Sequence, residues 1–220
     1  MEKLNDFGYI DYAVANIRKV ADEQADNIRK AAALMADAIA NDKLINVYAG
    51  GGHTTLAMGE MFFRAGGLAN INPLMETALS VFNQALKYLE LERTENFGAS
   101  IIKYYDIQKD DLVIIFHNIG INPATIDAAM EIKKRGGKII AVASSHWQNE
   151  MPADHFIRHS SGSSSMFGHV YGSAPLASRN AVIASSADPT TNIRALEHPS
   201  DSCTSYPRST SMDIASKIPL

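Results

Sequence analysis

Between Tyr12 and Ala40 the apolar residues Val14, Ile17, Val20, Ile28, Leu34, Met35 and Ile39 recur at spacings near three and four, with charges between them. That period predicts helix, as one long element or as two with a break around Gln24 to Asp26. The pattern then changes. "KLINVYA" (Lys43–Ala49) is a short, continuous, β-branched run of the kind a buried strand shows. Helical spacing returns from Thr54 to about Arg64 and is closed by Gly66 and Gly67. "LANINPL" (Leu68–Leu74) predicts a second short strand, whereas residues 75–92 are ambiguous, although "VFNQALKYLELE" has helical spacing. A further helix is expected over 95–104, and "DLVIIFH" (Asp111–His117) is the clearest strand in the chain. Asn122 reads as an N-cap and Pro123 as the first position of a helix that runs to Arg135 and stops at Gly136 and Gly137. "KIIAVAS" (Lys138–Ser144) predicts the next strand.

Strands that alternate with helices across short glycine-marked turns imply βαβ units and a parallel sheet, an α/β fold. Ligands of open α/β sheets bind at the carboxyl ends of the strands, so a site is expected from the loops at 49–55, 117–122 and 144–147. Residues 1–40 form an N-terminal helical segment and 41–162 the binding domain. After Gly162 the chain becomes rich in serine and threonine and loses periodicity, apart from "NAVIAS" as a possible short strand. Two explanations stand for 163–220: a shifted reading frame near Gly162, or a divergent tail without a packed core.

Composition narrows the partners. The 220 residues carry a net charge of −4, and their lysines and arginines are scattered among acids. No basic footprint marks a nucleic-acid partner. The opening "MEKLNDFGYIDY" has no basic leader pattern, and no run approaches a membrane span, so a cytoplasmic protein with no membrane partner is expected. One cysteine, Cys203, excludes an internal disulfide and fits a reducing compartment.

The chemistry concentrates in "NVYAGGGHTTLAMGEMFFRAGG" (Asn46–Gly67). Glycines admit close backbone approach, a helix start offers free N–H groups, and Thr54 and Thr55 add hydroxyls: together an anion cradle. A P-loop would need Lys where His53 stands, and from Gly50 a dinucleotide fingerprint would need glycine at Thr55. Two readings stay open: a hydroxyl-lined loop for a phosphorylated small molecule, or a tight strand–helix turn with no ligand.

This stretch, followed by "YYDIQKDDLVIIFHNIGINPATIDAAMEIKKRGGKIIAVASS", resembles the sugar isomerase (SIS) domain, closest to bacterial proteins related to phosphoheptose isomerase. In that group the first motif reads roughly Gly-x-Gly-His-Ser and the second Ser-Asn-Ser-Gly-x-Asn. The resemblance covers about Tyr12 to Gly162. It implies a three-layer αβα sandwich with a five-stranded parallel sheet, flavodoxin-like, usually assembled as homodimers or homotetramers. It also implies a phosphorylated sugar held by Gly51, Gly52, His53, Thr54 and Thr55, by His117, Asn118, Gly120 and Asn122, and by Ser144 and Ser145. Two positions depart from the pattern, His117 and Ile119 standing where the family has serines. The family's closing helices and strand are also not matched after "RHSSG".

Aldose–ketose isomerisation moves a proton between adjacent carbons and needs a base within reach. Glu60, between Met58 and Met61, is the candidate base, since an acid amid apolar neighbours has the environment for it. His53 is the second catalytic candidate, and Glu76 a weaker one. His117 reads equally as a ligand contact or a satisfied core histidine. His155 and His159 stand four apart but lack a carboxylate partner, so no metal and no cofactor are expected. Trp147 after the serine pair reads as packing sooner than sugar stacking. A non-catalytic phosphosugar sensor and an amino-sugar-phosphate etherase are the alternatives to an isomerase.

Overall fold

In the computed structural model, residues 8–117, 121–143 and 181–185 are described, the last as backbone alone. Four parallel strands form the sheet: β1 (Ile45–Ala49), β2 (Ile71–Pro73), β3 (Leu112–His117) and β4 (Lys138–Ala143), in the order β2-β1-β3-β4. Ile45 pairs with Ile71 on one side and Leu112 on the other, and Leu112 pairs in turn with Lys138. Parallel strands are covered on both faces, which is why β1 is buried at every position; its one amide, Asn46, is satisfied by donating to Leu112 O and accepting from Asn72.

Alternation along the strands divides the core. Ile45, Val47 and Ala49 of β1, with Leu112 and Ile114 of β3, pack with Ala31, Ala38 and Met58. These belong to helices α2 (Ala25–Ala40) and α3 (Thr55–Met61). Tyr48, Val113 and Ile115 face the other way, onto Ile101, Ile102, Ala128 and Ile132. That layer is built from α4 (Ala85–Glu92), α5 (Phe97–Tyr104) and α6 (Pro123–Lys134). The three-layer αβα expectation is met. Tyr48 fastens the layers by donating its phenol hydrogen to the Ala124 carbonyl at 2.9 Å.

Several boundaries differ from the expectation, each for a local reason. The long N-terminal helix breaks at Gln24 into α1 (Tyr9–Glu23) and α2, within the range read from the sequence. Helix α3 ends at Met61, three residues before Arg64, with Phe62 extended and Phe63 at φ +52°. Gly59, a poor helix former, sits in that last turn. Residues 75–92 resolve into a 3-10 turn (Thr77–Leu79) and α4. Of the five parallel strands expected, four lie among the described residues; the segment Ala181–Ser185, within "NAVIAS", runs antiparallel along β4. The rest of 163–220 lies outside the described residues.

Candidate functional site

The loop after β1 meets the ends of β3 and α4 and the start of α6, and the site is built where they converge. Helix α6 begins as its sequence requires. The Asn122 side-chain oxygen accepts from the Thr125 N–H at 3.1 Å, and Pro123 occupies the position where no amide hydrogen is needed. That cap fixes the amide's orientation, so its NH2 group points back under the glycine loop. There it reaches Gly50 O at 3.1 Å, Glu92 Oε2 at 3.2 Å and His117 Nε2 at 3.0 Å. Two N–H bonds thus serve three acceptors, and one buried amide joins four segments of chain.

The electrostatics follow from burial. His117 is 4% exposed, and desolvation pushes its imidazole down to about 4, so at neutral pH it is uncharged. Its Nε2 accepts from Asn122, which leaves the ring proton on Nδ1. Glu92, at the end of α4, is 9% exposed. Burial pushes its carboxyl up, opposed by the charge of Arg93 and by hydrogen bonds from Tyr88 and Asn122. Burial, and then the charge of Glu92, push the Tyr88 phenol up.

This cluster explains why three glycines stand in a row. A Cβ on Gly50 would overlap Thr125 Oγ1, one on Gly51 would stand 2.7 Å from His117 Nε2, and one on Gly52 would stand 2.7 Å from the Tyr88 ring. Gly51 has φ −150°, extended backbone open to any residue, so space is what demands glycine there. The hydroxyls complete the turn: Thr54 Oγ1 donates to Gly51 O and Thr55 Oγ1 to Gly52 O, each at 2.6 Å. Thr125 Oγ1 is buried against Gly50 without a hydrogen-bond partner among the described residues.

The predicted site residues therefore separate into groups. Gly51, Gly52, Thr54, Thr55, His117 and Asn122 come together at the carboxyl ends of the strands. His53 belongs to the same loop and is exposed. Glu60 does not sit in an apolar environment. Its carboxylate is exposed and paired with Arg64 at 3.0 Å, while Met58 turns into the core. Glu76 caps the 3-10 turn, accepting from the Ala78 N–H at 2.8 Å. Asn118, Ile119, Gly120, Ser144 and Ser145 lie outside the described residues, as do Trp147, His155 and His159. Sequence reasoning missed Glu92, Tyr88 and Thr125. Among the described residues, no three His, Cys, Asp or Glu side chains gather as a metal site, and no helix is long and apolar enough to cross a membrane.

Comparison with known proteins points the same way. A family model described as "SIS domain" matches residues 8–144. A UPF0309 protein of Thermoanaerobacter pseudethanolicus is 37% identical over 156 residues, 70% of this chain and 61% of that protein. A UPF0309 protein of Listeria monocytogenes serotype 4b is 32% identical over 154 residues, 70% of this chain and 60% of its own length. The chain thus spans about three fifths of the length of the curated relatives it matches. Among solved structures, a phosphoheptose isomerase from Neisseria gonorrhoeae superposes with a TM-score of 0.51 at 14% identity, covering 74% of this chain and 91% of that one. At that identity the likeness concerns the fold.

Proposed function

The chain belongs to the SIS domain family, and from that premise we propose that it binds a phosphorylated sugar at the carboxyl ends of its strands and interconverts aldose and ketose forms. The observation that carries this reading is the glycine loop itself, held in shape from beneath by the Asn122, Glu92 and His117 cluster. A loop supported on its inner side keeps its outer side for a ligand. Backbone N–H groups of the loop, with the Thr54 and Thr55 hydroxyls rotated outward, supply donors to a phosphate.

In this reading the buried groups position and the exposed ones react. Glu92 and His117, enclosed below the loop, hold it. Glu60 and His53 stand on the solvent side, where a sugar carbon bearing an acidic proton would lie. Glu60 takes the proton from one carbon and returns it to the next, while His53 exchanges protons with the sugar oxygens. The exposure of Glu60 favours a second reading, binding without turnover, because an exposed carboxylate gains no apolar surroundings to strengthen it as a base.

Thermal unfolding with a panel of sugar phosphates tests the binding. A ligand of the folded state at a hundredfold excess over its Kd adds about 2.7 kcal/mol of stability. A panel with no effect refutes the phosphate cradle. Turnover of the ligand so identified, lost in Glu60→Gln with binding retained, separates the isomerase from the sensor.

A further inference from the structure

The glycine loop rests against a tyrosine of α4. A Cβ on Gly52 would stand 2.7 Å from Tyr88 Cζ, the ring carbon that carries the hydroxyl. The phenol oxygen accepts from the Gly52 N–H, and the phenol hydrogen is directed at Glu92, one turn further along the helix. Glu92 Oε2 also accepts from Asn122 at 3.2 Å and would lie 3.5 Å from a Cβ on Gly51. A half-buried phenol and a buried carboxyl therefore back onto the loop that the phosphate reading makes an anion cradle, and the inference below rests on that reading.

An ionised carboxylate is a poor floor for such a cradle, because buried charges are screened little and two anions across one loop repel. The groups around Glu92 do not remove the conflict. Arg93, next in the chain, offsets part of the carboxylate's charge. His117 of β3 is an uncharged imidazole, Asn122 at the start of α6 is neutral, and Asp127 of α6 accepts from the Asn96 N–H. His53 belongs to the loop and is exposed. One proton from solvent resolves the conflict. A protonated Glu92 donates to Tyr88 Oη, and the phenol hydrogen, released from the carboxylate, turns to the anion. Tyr88 keeps its own hydrogen throughout, and only the direction of the bond to Glu92 reverses. We propose that an anion entering the glycine loop is bound together with a proton on Glu92, and that Tyr88 conveys the change by becoming a hydrogen-bond donor to the anion. Glu92 is then a positioning residue that acts on the ligand through Tyr88.

Isothermal titration of the full chain with sodium sulfate tests this, because sulfate stays doubly charged at pH 6 and pH 8 and every proton taken up belongs to the protein. Titrations in buffers of different ionisation enthalpy count those protons. The wild type is expected to take up a proton at pH 8 and to bind sulfate about tenfold or more weakly there than at pH 6. Glu92→Gln, whose amide donates as the protonated acid does, is expected to bind at pH 8 about tenfold or more tightly than wild type, with the uptake gone. A gain in affinity cannot come from a misfolded variant. Tyr88→Phe, without the donor, is expected to weaken binding at pH 6, and His53→Asn to keep the uptake. Sulfate bound without proton uptake, or uptake that persists in Glu92→Gln, overturns the inference and leaves the cradle standing. Uptake lost in His53→Asn assigns the proton to the loop histidine and overturns it as well. Sulfate that binds at neither pH removes the cradle, and the inference with it.

Discussion

The buried imidazole of His117 makes folding stability depend on acid in a calculable way. The ring titrates near 6.5 in the unfolded chain and at about 4 in the folded one. A depressed folded value means that the full contribution is present above pH 6.5 and drains away as the pH falls toward 4, because the unfolded chain binds a proton that the folded chain refuses. Linkage over that window gives a loss of about 2 kcal/mol between pH 8 and pH 5, and about 3 kcal/mol by pH 4. Glu92, raised by burial, acts in the opposite sense over an overlapping range, so the wild-type curve alone mixes the two. The difference between wild type and His117→Gln isolates the histidine. Glutamine keeps an acceptor for the Asn122 amide and does not titrate. Urea unfolding followed by circular dichroism at pH 8 and pH 5 should show the variant losing about 2 kcal/mol less than wild type on acidification. Equal losses in the two proteins would mean that His117 is open to water in the folded state, and the enclosed cluster would be wrong.

Gly51→Ala places a methyl 2.7 Å from a ring that is packed on all sides, and is expected to cost about 1–3 kcal/mol in thermal unfolding along with any sugar-phosphate protection. Asn122→Ala removes the α6 cap and leaves the acceptors of the cluster short of donors, for a loss of at least about 2 kcal/mol by urea titration. Glu92 has a raised folded value, so its carboxyl favours folding at low pH and costs stability as the pH rises through that value. Glu92→Gln should therefore gain on wild type between pH 5 and pH 8, and a variant with an unchanged pH profile would contradict it. Glu60→Gln, on an exposed ion pair, should leave the unfolding transition within about 0.5 kcal/mol of wild type while abolishing isomerisation of a bound sugar phosphate in a coupled assay.

The strands were legible because a strand buried on both faces is largely apolar, and "LINVYA" and "LVIIFH" each interrupt that run with a single polar residue, Asn46 or His117. The start of α6 was legible because Asn-Pro carries its own mechanism. Glu60 misled for a geometric reason. Met58 stands two residues away, which on a helix is nearly the opposite face, so the methionine enters the core and the glutamate meets solvent. Glu92 was hidden by distance along the chain. It lies 40 residues from the glycine loop, in a segment whose helical register the sequence left ambiguous, and only the packing of α4 across the sheet ends brings it to Asn122. Local pattern names the elements, while the partners of a buried polar group depend on how those elements cross.

The close approach of Gly51 to His117 ties the two positions together in what each can hold. A Cβ at 51 and an imidazole at 117 claim the same volume. Glycine at 51 and histidine at 117 therefore go together: the bare backbone of the loop leaves the room that the imidazole fills. Gly51→Ala and His117→Ser should each be damaging alone and compensate when combined, one refilling the space that the other vacates.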